Sequence, residues 1–362
     1  VIAGIAETRA RAAQLRARFE DAGAAPVETP VLQPAAALLD LYGEDIRARA
    51  YVTSDALRGE QMLRPDFTVP VVQMHMHDGA APARYTYAGA VFRRQEDDPD
   101  RPNEYWQVGY EVFDGQAPHD ADAEVFCLIR EALAGLDLRA TTGDIGVLMA
   151  AVAGLDTTAA RKAALMRHIW RPRRFRALLD RYAGRTPVPA ARRSLLAADD
   201  PFADAPPLLG LRSQSEIAAR IAALRTDAAT PPISTDEVAL IDAILEVRET
   251  APYALEHLRD IAVDLPAIDP AVERLQRRME ALDARGVDVG ALEFEASHGR
   301  ASMEYYDGFV FGFYAAARPD LPAVASGGRY DALTRLLGRG AEIPAVGGVI
   351  RPGLMLELEA AT

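Results

Sequence analysis

Cysteine is almost absent from this chain of 362 residues. The single thiol, Cys127, excludes an internal disulfide and a multi-cysteine zinc site, and it fits a reducing compartment. Its apolar setting, Ala123-Glu-Val-Phe-Cys-Leu-Ile129, reads as a buried filler, because a reactive thiol needs an electropositive, partly exposed site. Long hydrophobic runs are missing too: nothing approaches the roughly 18 to 20 apolar residues of a membrane span. The opening residues, Val1 to Thr8, lack the basic region and apolar core of a secretory signal, so no membrane contact and a cytoplasmic location are expected. Cations are in deficit, 40 Lys and Arg against 53 Asp and Glu, for a net charge of -13. The average surface therefore repels polyanions, and no nucleic-acid partner is expected. There is no G-x-x-x-x-G-K phosphate loop, no G-x-G-x-x-G dinucleotide signature and no repeat of fixed period. His75 and His77 have no third ligand nearby, so neither a metal nor a cofactor is expected.

What is present is a patterned, largely apolar sequence, 49% hydrophobic, which is enough for a sizeable core. Ile5 to Asp21 carries apolar residues at helical spacing (Ile5, Ala10, Ala13, Leu15, Phe19) before the stop at Gly23. Pro26 to Leu32 reads as extended, at an edge or an interface. Arg84 to Gln95 and Tyr105 to Phe113 read as the arms of a β-hairpin with an acidic tip from Glu96 to Glu104. Asp120 to Leu136 returns to helical spacing, and Asp144 to Leu148 reads as a short strand entering another helix. Gly308 to Tyr314, Val324 to Ser326 and Ala345 to Ile350 read as strands, with a helix near Tyr330 to Leu337. The stretch from 157 to 287 is rich in Ala, Leu and Arg and broken by Pro-rich segments, so it reads as a helical insertion. The expected fold is α+β: a mainly antiparallel sheet flanked by helices, with core residues 1–156 and 288–362 interrupted by the insertion.

Four groups of residues are candidates for chemistry. Gln107, Gly109 and Glu111 project to one face of a strand, where they form either a solvated face or a set of ligand acceptors beside the space that a glycine leaves. Asp66 and Thr68, in Leu63-Arg-Pro-Asp-Phe-Thr-Val-Pro70, either cap a helix or hold a ligand. Tyr305 and Tyr306, as neighbours on a strand, point opposite ways: one packs below the sheet and one reaches a pocket, or both are core aromatics. Gly327-Gly-Arg-Tyr-Asp331 gives either a plain turn or a nest of N–H groups for an anion.

In order and character, these segments resemble the catalytic core of histidyl-tRNA synthetases: Gly89 to Gln95 with Tyr105 to Phe113, then Glu304 to Phe311, then Ser326 to Leu333. The resemblance implies a class II synthetase-like fold, with a dimer-forming motif at residues 26–32. It also implies a histidine pocket built from Asp66, Thr68, Gln107, Glu111, Tyr305 and Tyr306, with Arg93 and Arg300 as further candidates. Asp66 replaces the glutamate of the synthetase pattern Leu-Arg-Pro-Glu-x-Thr and shortens its reach by one methylene.

The pattern breaks where ATP would be activated, which needs arginines on the developing charge. Gly347 to Leu354 aligns with Gly-Phe-Ala-x-Gly-x-Glu-Arg, so the final arginine is Leu354. Pro352 is expected to interrupt the helix carrying it, and Arg351 to lie on a neighbouring helical face. Phe-Arg-x-Glu becomes Phe92-Arg-Arg-Gln95, the acidic tip repels phosphate, and no anticodon-binding domain is expected. The chain is therefore similar to the synthetase paralogues that serve as regulatory subunits of ATP phosphoribosyltransferase. That resemblance implies no catalytic residues of its own and a short-form catalytic subunit as partner. It further implies self-association as a dimer within a hetero-octamer, and L-histidine as feedback effector. The alternatives are an active synthetase fragment and an amino-acid sensor for another partner.

Overall fold

The computed structural model describes residues 4–35, 49–95, 101–203, 205, 209–300 and 305–361. Helix α1 (Ile5–Asp21) is followed by strands β1 (Ala25–Pro26), β2 (Leu32–Pro34), β3 (Val52–Asp55) and β4 (Gly59–Leu63), then by α2 (Thr68–Asp78). The long hairpin β5 (Ala83–Phe92) and β6 (Glu104–Phe113) comes next, then α3 (Pro118–Ala132), β7 (Leu138–Asp144) and α4 (Ile145–Gly154). Helices α5 (Ala159–Arg167), α6 (Pro172–Tyr182), α7 (Ala190–Ala197), α8 (Gln214–Ala229) and α9 (Thr235–Glu246) run to β8 (Arg248–Thr250), α10 (Ala251–Asp264) and α11 (Asp269–Ala284). The chain ends with β9 (Glu293–Glu295), β10 (Phe309–Ala315), β11 (Ala325–Arg329), α12 (Asp331–Leu337), β12 (Ala345–Ile350) and α13 (Pro352–Glu359).

Nine strands form one sheet in the order β1-β5-β6-β12-β11-β10-β7-β9-β8, and β2-β4-β3 form a small second sheet. Among the described strands, only β1 with β5 and β7 with β9 pair in parallel, and β1, with its proline at position 26, lies at an edge, where a missing N–H costs least. The hairpin arms pair from Ala83 with Phe113 to Phe92 with Glu104; the acidic residues 96–100 of its tip lie outside the described residues.

Three local expectations are corrected. Asp144 ends a strand rather than beginning one: its carboxylate accepts the Gly146 N–H at 2.8 Å and caps α4, which turns Ile145 to Leu148 into helix. The buried stripe of α1 is Thr8, Ala12, Leu15 and Phe19, whereas Ile5, Ala10 and Ala13 face outward. Pro352 does not interrupt the last helix. It occupies the first turn of α13, where its missing N–H has no intrahelical partner to lose.

One face of the large sheet carries Tyr110, Phe309, Phe311 and Phe313, which pack on Phe19 of α1 and Phe126 of α3 with ring centroids 5.2 to 6.4 Å apart. Cys127 is buried in this layer, and burial pushes its thiol up, consistent with the filler reading. Among the described residues, the elements of the 157–287 stretch are helices except for β8, which extends the sheet at its edge by pairing with β9. Arg278 of α11 is fully buried between Asp122 and Asp144, at 2.8 Å from each, so the end of that stretch is bonded into the core.

Candidate functional site

The opposite face of the sheet holds the candidate residues. Directly paired residues share a face, so Glu111 stands beside Gly347 of β12, Gly109 beside Tyr87 of β5 and Gln107 beside Gly89. Glycines make this face shallow. A Cβ on Gly347 would sit 1.4 Å from the Glu111 carboxylate, and one on Gly109 would sit 2.1 Å from the Tyr87 ring. Gly109 thus makes room for Tyr87, where a ligand lying against the backbone had been expected.

Glu111 is the centre. It is 1% exposed, and its carboxylate accepts hydrogen bonds from the hydroxyls of Thr68 at 2.9 Å, Tyr87 at 2.7 Å and Tyr330 at 2.6 Å. No cation pairs with it among the described residues. Burial pushes its carboxyl up to about 7; the three hydroxyl bonds pull the other way, and the charge of Asp66 adds to the rise. A carboxylate held only by neutral donors can exchange them for a ligand's N–H groups.

Asp66 and Thr68 flank Phe67 at the start of α2. Phe67 stacks on Tyr87 at 4.3 Å and lies under the Arg64 guanidinium at 4.0 Å, while Arg64 also donates to the Ala90 carbonyl at 2.9 Å. These contacts press the segment onto β5. Asp66 accepts the Val69 N–H at a long 3.4 Å, a weak cap, and sits 3.8 Å from Arg93, whose Nε donates to the Pro65 carbonyl at 2.6 Å. Gln107, 1% exposed, keeps a side-chain oxygen without a hydrogen-bond partner. An orphaned buried acceptor on a polar face marks a place for a donor.

Tyr305 and Tyr306 do not sit on a strand. They precede β10 in a turn, their rings meet edge to face at 4.9 Å, and both are buried. Neither packs below the sheet: Tyr306 covers Gly328, and Tyr305 lies within electrostatic reach of Asp66 and Glu111. Burial raises both hydroxyls above their ordinary value. The N–H groups at the start of α12 are not an open nest, because Asp307 takes those of Asp331 and Ala332 at 3.0 and 2.5 Å. Arg300 turns toward the helical stretch: its Nε donates to the Ile169 carbonyl at 2.8 Å and its guanidinium covers Phe175 at 5.0 Å.

Sequence reasoning missed Tyr87 and Tyr330. Tyr87 was legible, since it faces the same way as its strand neighbour Gly89; Tyr330 depends on a turn that brings it back over β6. Elsewhere, a cleft of about 700 Å³ in the helical stretch, lined by Leu195, Phe202, Leu211 and Leu224, offers apolar walls and two arginines, Arg212 and Arg220. No group of three metal-ligating side chains occurs among the described residues, and no helix described is long and apolar enough to cross a membrane.

The histidyl-tRNA synthetase family model matches residues 4–203 and 212–352. The ATP phosphoribosyltransferase regulatory subunit of Agrobacterium fabrum is 32% identical over 356 residues, covering 93% of each chain. This chain belongs to the ATP phosphoribosyltransferase regulatory subunit family, which is histidyl-tRNA synthetase-like. A second member of that family, from Brucella anthropi, is 31% identical over 357 residues, 92% of this chain and 93% of the relative. Among solved structures, an ATP phosphoribosyltransferase regulatory subunit/histidyl-tRNA synthetase from Bacillus halodurans superposes with a TM-score of 0.66 at 22% identity, over 97% of this chain and 79% of that one. A histidine–tRNA ligase subunit from Alicyclobacillus acidocaldarius superposes at 0.60 and 24%, over 98% and 93%. Both show the class II synthetase-like fold.

Proposed function

We propose that this chain is the non-catalytic regulatory subunit of an ATP phosphoribosyltransferase, acting in the cytoplasm. It joins a short-form catalytic subunit in a hetero-oligomer, as a dimer within a hetero-octamer, and raises that subunit's turnover in the first step of histidine biosynthesis. It binds L-histidine in the Glu111 pocket and thereby transmits feedback inhibition. The observation that carries this reading is Glu111, a buried carboxylate held by Thr68, Tyr87 and Tyr330 with no cation paired to it among the described residues. Imidazole and ammonium N–H groups are the donors such a site lacks, and the Asp66 charge and the orphaned Gln107 oxygen extend it. Synthetase chemistry is disfavoured because α13 carries Leu354 where the synthetase pattern has its last arginine. The core of 1–156 and 288–362 supplies the pocket, and the 157–287 insertion is tied to it through Arg278.

The test is an assay of phosphoribosyl transfer by the short catalytic subunit. Adding the purified chain raises turnover, and adding histidine lowers it again, since by linkage histidine and the active assembly bias one another. Unchanged turnover, or histidine-dependent exchange of pyrophosphate into ATP by the chain alone, overturns the proposal.

A further inference from the structure

We propose that Arg351 holds the carboxylate of the amino acid bound in this pocket, so that the site reads a zwitterion from both ends. This rests on the reading above that the pocket binds an amino acid.

The register of β12 places Arg351. Gly347 stands opposite Glu111 and Val349 opposite Gly109, so the next residue on that face is Arg351, at the Gln107 end. Its backbone stays extended, with its N–H on the Val324 carbonyl at 2.9 Å. Its guanidinium donates to the Ala323 carbonyl and lies 6.0 Å from the Tyr105 ring centre, within electrostatic reach of Arg93, Tyr314 and Tyr306. Among the described residues it makes no ion pair. A partly buried cation beside a second cation, with a carbonyl and ring faces for company, is short of an anion.

The two ends of the pocket differ in sign. Glu111 lies at one and Arg351 at the other, where the orphaned Gln107 oxygen also stands, while Asp66 and Arg93 pair with each other at 3.8 Å. Four residue steps of β6 separate Gln107 from Glu111, about 13 Å along the strand, a span that a bound amino acid and the long Arg351 side chain together would bridge. The synthetase pattern aligned with Gly347 to Leu354 has a glycine at position 351. The planar guanidinium is therefore a feature of this chain, and its fork suits a carboxylate.

The experiment is calorimetric titration of the full chain with histidine, with histidinol, which replaces the carboxylate by a hydroxymethyl group, and with the other protein amino acids. Histidine is expected to bind about ten- to a hundredfold more tightly than histidinol. Arg351→Met should bring the two within about threefold, and Arg351→Lys should restore part of the difference. Equal binding of histidine and histidinol by the unaltered chain, or full discrimination by a folded Arg351→Met, overturns the Arg351 assignment and leaves the histidine reading standing. Carboxylate-dependent, Arg351-dependent binding of another amino acid in place of histidine supports the assignment and sinks the histidine reading. No binding of any amino acid sinks both.

Discussion

The two faces of the large sheet treat buried carboxylates in opposite ways. Under the helical face, Asp122 is 0% exposed and bonds to Arg278 at 2.8 Å and to Arg329 at 2.7 Å, while Asp144 shares Arg278 and caps α4. Burial pushes Asp122 up, but the two guanidiniums outweigh it and hold the carboxyl below its ordinary value. On the pocket face, Glu111 is as deeply buried but meets only hydroxyls, and burial wins, carrying it up to about 7. The first arrangement is closed: every charge has its partner, and nothing further is needed. The second is held by neutral donors, leaving unbalanced a charge that a cationic ligand can balance.

Breaking the closed face has the larger expected effect on stability. Arg278→Met leaves Asp144 and Asp122 buried with one cation fewer between them, and should lower unfolding stability by about 3–5 kcal/mol, read as a lower urea midpoint. On the open face, the Glu111 carboxyl titrates higher folded than unfolded, so the folded state holds its proton more tightly. That contribution is fully present below about pH 4.5, the unfolded value, and is lost as pH rises through about 7. The loss is on the order of 3 kcal/mol. Glu111→Gln should therefore flatten the fall in melting temperature between pH 5 and 8; a mutant with the same slope as the unaltered chain would mean that Glu111 is already ionised when folded.

Most of the sheet was legible because period-2 and helical patterns are local. The helix at Ile5–Asp21, the hairpin and the strands after residue 308 follow from spacing alone. What failed depended on contacts across the fold. Asp144 reads as the start of a strand until its carboxylate is seen to cap α4. At the Asp331 end of α12 the spacing leaves a plain turn and an anion nest both open, and only the fold shows Asp307 taking those N–H groups. Tyr305 and Tyr306 were given strand geometry, although the turn before β10 sends both rings to the pocket side. Glu111 was legible by its alternation with Gln107, whereas its three hydroxyl partners come from segments 43, 24 and 219 residues away in sequence.

Titration of the purified chain with histidine, alongside its Glu111→Gln variant, tests most directly whether the open face is a recognition site. The expected result is saturable binding by the unaltered chain, weakened by about ten- to a hundredfold in the variant. Equal affinity in the two, or no binding by the unaltered chain at millimolar histidine, would contradict it.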